Sequence, residues 1–159
     1  MNEYQKLILH LQNITLFSGL SKKDMDQILK ISTFHSAPQN FNIIKEGAAE
    51  NLDIYALIEG EVRVIIHTGE KDIVLTVIKE NDKNNIFGEM SLITAHARTA
   101  SVISNKPVKL IRISHKKLLE LIKNNASIGM QIYKNLVEVV AYRLECTNIL
   151  LQHTIDWGW

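Results

Sequence analysis

One stretch of this 159-residue chain places residues that could do chemistry close together: FGEMSLITAHARTASV, residues 87–102. Gly88 stands beside an acid, Glu89; a short apolar turn follows, and then Arg98 and Thr99. A glycine admits close approach of another backbone, and an arginine presents a planar cation that can grip an oxyanion through two parallel bonds. A short helix starting near Gly88 would point its first amides outward, together with the positive end of its dipole, and so form a seat for an anion. Arg98, returning on the next strand, would add charge-assisted bonds worth about 1.5 to 3 kcal/mol each. Glu89 repels an anion and therefore needs a donor, such as a sugar hydroxyl. Phosphate and ribose together imply a nucleotide. The same residue types also allow a plainer arrangement, in which Glu89 and Arg98 pair with each other at a surface turn.

The elements that must position this stretch fall into three regions. Residues 2–31 read as helix: Tyr4, Leu7, Ile8 and Leu11 recur at helical spacing, and Ser21 with Asp24 three residues later signals a second start ahead of Met25, Ile28 and Leu29. From about Thr33 to Ser114 the pattern changes to short β-branched runs punctuated by Gly, Asn and Asp, as in FNIIKEG, DIYALIEGEVRVIIHTGEKDIVLTVI, TASVISN and VKLIRIS. Gly60, after Glu59, and Gly69 predict hairpin turns. Strands this short and closely spaced, without long helices between them, predict antiparallel pairing in a small barrel or jelly roll.

Helix returns from Lys116 to about Gln152, with a break at Asn124, Asn125 and Ala126 and an N-cap predicted at Ser127. The second of these helices carries two apolar stripes: Tyr133, Val137, Val140, Leu144, Thr147 and Leu151 on one side, and Ile128, Ile132, Leu136, Val139, Cys146 and Ile149 on another. One stripe can cover the barrel. The other can meet a second copy of the chain, or both can be buried within one chain. The expected organisation is an N-terminal helical segment over 1–32, a β core over 33–115, C-terminal helices over 116–152 and a tail over 153–159. The fold class is mainly β with flanking helices: an antiparallel β-roll of the jelly-roll kind with N-terminal helices, a short helix starting near Gly88 and a long C-terminal helix.

Composition narrows the function. Lys and Arg number 18 against 17 Asp and Glu, a formal charge of +1, so no global field draws the chain to nucleic acid or to an anionic membrane. The single cysteine, Cys146, excludes an intrachain disulfide and a multi-cysteine metal site and fits a reducing compartment. No apolar run approaches the ~18 to 20 residues of a membrane helix, and MNEYQKLILHLQN has no secretory pattern, so a cytoplasmic location is expected.

FGEMSLITAHARTA resembles the phosphate-binding cassette of cyclic-nucleotide-binding domains, with matches at Phe87, Gly88, Glu89, Met90, Ser91, Leu92, Arg98, Thr99 and Ala100. IIKEGAAENLDIYALIEGEVRVI is similar to that family's preceding strands, with glycines at the places of Gly47 and Gly60, and LFSGLSKKDMDQIL is similar to its leading helix. The resemblance runs over roughly residues 14–151 and extends to the sensor domains of catabolite-activator proteins and of cAMP-dependent kinase regulatory subunits. It implies that Arg98 holds a cyclic phosphate, that Glu89 holds the ribose 2′-hydroxyl, and that amides around Gly88, Met90 and Thr99 complete the cradle. Ser91 and Ala100 lie in the cassette, and Leu75 would line the base. AYRLECTN is similar to the matching helix of catabolite activators and places Thr147 toward the adenine amino group, so cAMP is expected over cGMP. A helix-surface bond to its own backbone is the other role open to Thr147. Trp157 and Trp159, in the tail, could stack on a base or remain loose.

Two departures from the family pattern stand out. Ala97 replaces the proline before the arginine, and Asn84-Asn85 replaces Gly-Asp ahead of Phe87. No His-x-His, G-x-S-x-G or Walker pattern occurs, and His10, His35, His67, His96, His115 and His153 are scattered, so surface or capping roles are assigned to them. No catalytic apparatus, cofactor or metal is expected, and no DNA-reading helix fits after Gln152. The expected function is a non-enzymatic cyclic-nucleotide sensor whose C-terminal helix moves against a dimer mate or a separate effector protein. A dimerisation scaffold with a ligand-free version of the same fold is the alternative.

Overall fold

The computed structural model describes residues 2–94 and 96–156; Trp157 and Trp159 lie outside the described residues. Two helices lead the chain, α1 (Glu3–Gln12) and α2 (Lys22–Lys30), with a single 3-10 turn at Thr15–Phe17 between them. The start of α2 is fixed by a reciprocal cap: Asp24 N donates to Ser21 Oγ at 3.2 Å, and Ser21 N donates to Asp24 Oδ2 at 3.0 Å.

Eight strands follow: β1 (Ser32–Ala37), β2 (Asn42–Ile44), β3 (Ile54–Glu59), β4 (Glu61–His67), β5 (Asp72–Lys79), β6 (Ile86–Phe87), β7 (Ser101–Ser104) and β8 (Val108–Ile113). They form two four-stranded sheets, ordered β1-β8-β3-β6 and β2-β7-β4-β5, in which every pairing is antiparallel. This is the mainly β roll with flanking helices that the strand spacing predicts.

The two predicted hairpin glycines do different jobs. Gly69, at φ +74°, joins the paired strands β4 and β5 as expected. Gly60 closes no hairpin, because β3 and β4 belong to different sheets. It turns the chain from one sheet to the other at φ +100°, so close to its neighbour that a Cβ would lie 2.5 Å from the Pro107 carbonyl oxygen. Sequence pattern registers a turn there but not which sheet the next strand joins.

Strands β3 and β6 and most of β8 are buried on both faces, whereas the edge strand β1 is largely exposed. Tyr55, Leu57, Phe87, Val108 and Leu110 point into the roll, where Tyr55 and Phe87 stack with ring centroids 5.5 Å apart. Ile54, Ala56, Ile86, Ile111 and Ile113 point the other way, onto a second core built from Leu11, Phe17, Met25, Ile28 and the C-terminal helices. Period-two alternation puts apolar residues on both sides of these strands, so they read as continuous apolar runs.

The C-terminal helices are α3 (His115–Asn124) and α4 (Ala126–Asp156). Asn125 alone separates them. Its side chain accepts from Ile128 N at 3.2 Å, so Asn125 supplies the cap predicted for Ser127, which lies inside the helix instead. On α4 the stripe that begins with Ile128 is buried only through Ile132, Leu136 and Val139, since Cys146 is half-buried and Ile149 exposed; of the other stripe, Tyr133, Val137, Leu144 and Leu151 are exposed while Val140 packs against the core. No described helix is long and apolar enough to cross a membrane.

Candidate ligand pocket

Gly88 adopts φ +80° and caps a 3-10 helix over Glu89–Leu92. A Cβ at Gly88 would lie 2.9 Å from the Asp53 carbonyl oxygen and 3.0 Å from Arg98 Nη1, so the close approach depends on glycine twice over. The short helix is braced from below: Ser91 Oγ lies 2.8 Å from Leu52 O and 2.9 Å from Gly88 O, and His115 Nε2 donates to Ser91 O at 3.0 Å.

Arg98 lies in the loop before β7 rather than on the strand itself. Its backbone is fixed by bonds from Arg98 N to Ala48 O (2.9 Å) and from Gly47 N to Arg98 O (2.8 Å). The side chain is only 9% exposed, and its Nε, Nη1 and Nη2 donate to Asn51 O (3.0 Å), Gly88 O (3.1 Å) and Asp53 O (2.6 Å). A guanidinium carries five N–H groups, so one remains on each terminal nitrogen, the pair a bidentate oxyanion contact needs. Burial pulls its pKa below the usual arginine value while Tyr55, Asp53 and Glu89 oppose the shift, and the group stays a cation.

Asp53 ties this arrangement to α3. Its Oδ2 accepts from Arg112 Nε at 2.6 Å, and its Oδ1 accepts from His115 N at 2.9 Å, at the first residue of the helix. The bond to Asp53 is the main reason the Arg112 pKa is raised.

Glu89 does not pair with Arg98 among the described residues. It is 2% exposed, and its Oε1 lies 2.8 Å from Nε of Arg143, on α4. This is a charge contact without a well-aligned N–H bond, while Arg143 Nη2 donates to Ile86 O at 2.5 Å. The helix thus reaches over the cassette and holds its acid.

Between roll, cassette and α4 lies a cavity of about 760 Å³, within the ~300 to 1,000 Å³ usual for small-molecule sites. Leu75, Phe87, Gly88, Glu89, Met90, Ser91, Arg98, Thr99, Ala100 and Thr147 all border it, whereas Leu92, the remaining cassette match, is turned into the core beneath. Thr147 donates its hydroxyl proton to Arg143 O at 2.9 Å, the local backbone bond left open by the sequence, while still facing the cavity. Sequence reasoning passed over Arg143, Tyr142, Cys146 and Asn84, which border the same space. The one available signal for Arg143 was its position four residues before Thr147, which puts both on one face of the helix.

A model of the cyclic nucleotide-binding domain family matches residues 34–125, more than half of the chain. The chain belongs to that family. Its curated relatives include the potassium channel KAT6 of Oryza sativa subsp. japonica, 27% identical over 128 residues, covering 79% of this chain and 21% of the channel. The chain therefore spans about a fifth of the length of that relative. Among solved structures, the Thermus thermophilus catabolite activator protein superimposes with a TM-score of 0.70 at 26% identity, covering 88% of this chain and 62% of that one. A cAMP-bound PfPKA-R (141–441) does so with a TM-score of 0.65 at 26% identity, covering 76% and 42%.

As a cyclic nucleotide-binding domain, the chain accommodates both of its departures without disturbing the charged residues. Ala97 is exposed. Asn85 is buried, and its Nδ2 donates to Leu57 O (3.0 Å) and Glu80 O (2.9 Å), so it holds together the loop leading to the cassette.

Proposed function

We propose that this domain is a sensor that binds a cyclic nucleotide, cAMP in preference to cGMP, and signals through its C-terminal helix. The observation that carries the reading is that a buried Arg98 and a buried Glu89, each held by other groups, both border one cavity beside α4. In this reading the two free N–H groups of Arg98 take the cyclic phosphate, together with amides around Gly88, Met90 and Thr99, and Glu89 accepts from the ribose 2′-hydroxyl. Leu75 packs on the base, and Thr147 meets it from α4.

Signalling follows from Arg143. Glu89 holds α4 through that arginine, and a ribose hydroxyl on the same carboxylate changes the energy of the contact. A ligand shifts a two-state equilibrium only by its differential affinity for the two states. The carboxylate shared by sugar and helix provides such a difference, and the second half of α4 is the element that moves. Its exposed apolar stripe, with Val137, Leu144 and Leu151, is the surface offered to a dimer mate or an effector protein. The setting is cytoplasmic, in keeping with the lone cysteine.

Titration calorimetry with cAMP and cGMP tests the binding step, and saturable heat with cAMP is expected. A 2′-deoxy analogue should bind less tightly than cAMP to the wild type and equally to Glu89→Ala; an equal penalty in both proteins removes Glu89 from the sugar. The ligand-free scaffold reading draws on one feature, the three carbonyls that already occupy Arg98. Absence of heat with either nucleotide at millimolar concentration would select it.

A further inference from the structure

The proposed phosphate seat has two sides, Arg98 and the short helix over Glu89–Leu92, and both lean on one turn. Along Asn51–Asp53 three successive carbonyls face them: Asn51 O and Asp53 O accept from Arg98 Nε and Nη2 at 3.0 and 2.6 Å, and Leu52 O lies 2.8 Å from Ser91 Oγ. Side chains stiffen the turn. Asn51 Oδ1 accepts from Asp53 N at 3.0 Å, and Asn51 Nδ2 donates to Tyr55 OH at 3.0 Å.

His115, the first residue of α3, reaches both the turn and the short helix. Its N donates to Asp53 Oδ1 at 2.9 Å, and its Nε2 lies 3.0 Å from Ser91 O. A carbonyl oxygen can only accept, so Nε2 carries a proton and donates it. Arg98 Nη1 holds the start of the short helix through Gly88 O at 3.1 Å, and His115 holds its third residue. A segment fixed at one point can swing about it, whereas one fixed at two keeps its direction. His115 is half-buried and is not among the described residues that border the cavity.

We infer that His115 is a positioning residue for the phosphate seat: its Nε2–H bond to Ser91 O sets the angle between the amides of the short helix and the two free N–H groups of Arg98. The inference rests on the cyclic-nucleotide reading and names a group, itself off the cavity wall, that keeps the two sides of the seat aligned. Groups aligned before binding lose less freedom when the ligand arrives, so their alignment is read as affinity. The bond makes the start of α3 a support of the seat. The cassette stretch does not encode this role, because His115 lies 24 residues after Ser91.

The test is calorimetry with cAMP on wild type, His115→Leu and His115→Gln, each also in an Arg98→Ala background. His115→Leu should weaken cAMP by about 3- to 10-fold, the range of one net hydrogen bond. His115→Gln, whose amide nitrogen stands where Nε2 does and can donate to the same carbonyl, should return to within about 2-fold of wild type. In the Arg98→Ala background His115→Leu should cost less than about 2-fold, because one side of the seat is gone and there is nothing to align it with, whereas a merely structural role costs the same in both backgrounds. Should His115→Leu not fold, His115→Asn, whose shorter side chain leaves its amide short of Ser91 O, takes its place. Wild-type affinity in the variant that removes the bond, an equal loss with and without Arg98, or no recovery in His115→Gln overturns the assignment while leaving nucleotide binding intact. Failure of the wild type to bind cAMP would instead overturn the cyclic-nucleotide reading, and this inference with it.

Discussion

The two halves of α4 are both rich in apolar residues, yet they are attached to the molecule in different ways. In the first half Ile128, Ile132, Leu136 and Val139 are buried among the leading helices and the outer face of a sheet. There the buried Asn135 donates to Leu16 O at 3.0 Å and to Ser18 O at 2.7 Å. In the second half Leu144, Ile149, Leu151 and Ile155 are exposed, and a polar anchor to the roll comes from Arg143, through Glu89 and Ile86 O. Packing over many contacts makes the first half part of the core. A charged contact makes the position of the second half depend on what else binds the same carboxylate. A helix with one hydrophobic character throughout can thus be structural at one end and adjustable at the other.

The largest effect should come from the buried half. Leu136→Ala deletes a core side chain that is 1% exposed, and a loss of about 2 to 5 kcal/mol in chemical denaturation is expected. A loss below 1 kcal/mol would show that even this half of α4 is loosely held.

The next concerns the wall of the pocket that does not depend on α4. Arg98→Ala should weaken cAMP binding by about 10- to 100-fold in calorimetry, the effect of losing a charge-assisted pair. Unaltered affinity would remove the arginine from the site.

Arg143→Ala leaves Glu89, 2% exposed, without its cation. A stability loss of about 1 to 3 kcal/mol is expected, toward the lower end for an unpaired buried charge because Arg143 is itself partly exposed. Hydrogen exchange should then rise in the second half of α4 and stay unchanged around Ile132. A uniform rise along the helix would erase the distinction between the halves.

The smallest effect belongs to Leu144→Ser, at a side chain 60% exposed. It should change the stability of the dilute monomer by about 0.5 kcal/mol or less. Sedimentation of both proteins over a concentration range checks the proposed use of this face: weaker self-association in the variant supports a dimer mate there, and identical monomeric profiles leave a separate effector protein as the partner.

Much of the site was legible because its parts are close in sequence. Gly88, Glu89 and Arg98 lie within one short stretch, and the positive φ and close contacts at Gly88 are local demands that only glycine meets easily. The capping box at Ser21 and the hairpin at Gly69 were legible for the same reason, since each is settled by residues a few positions apart. Gly60 misled because a hairpin and a crossing between sheets use the same turn chemistry. Ser127 misled because Asn125, two residues earlier, is an equally good cap and is the one placed at the break. Arg143 was passed over because its partners, Glu89 and Ile86, lie far back along the chain.

By itself the sequence determined the alternation that makes strands, the helix starts and the charged pair of the cassette, because these depend on neighbours along the chain. Only the tertiary structure decided what faces that pair: three main-chain carbonyls around Arg98 and a second arginine on Glu89. The physical reason is that burial and electrostatic partnership are properties of distance in space, and the groups that set them here were brought together by packing α4 and the turn at Asn51–Asp53 against the cassette.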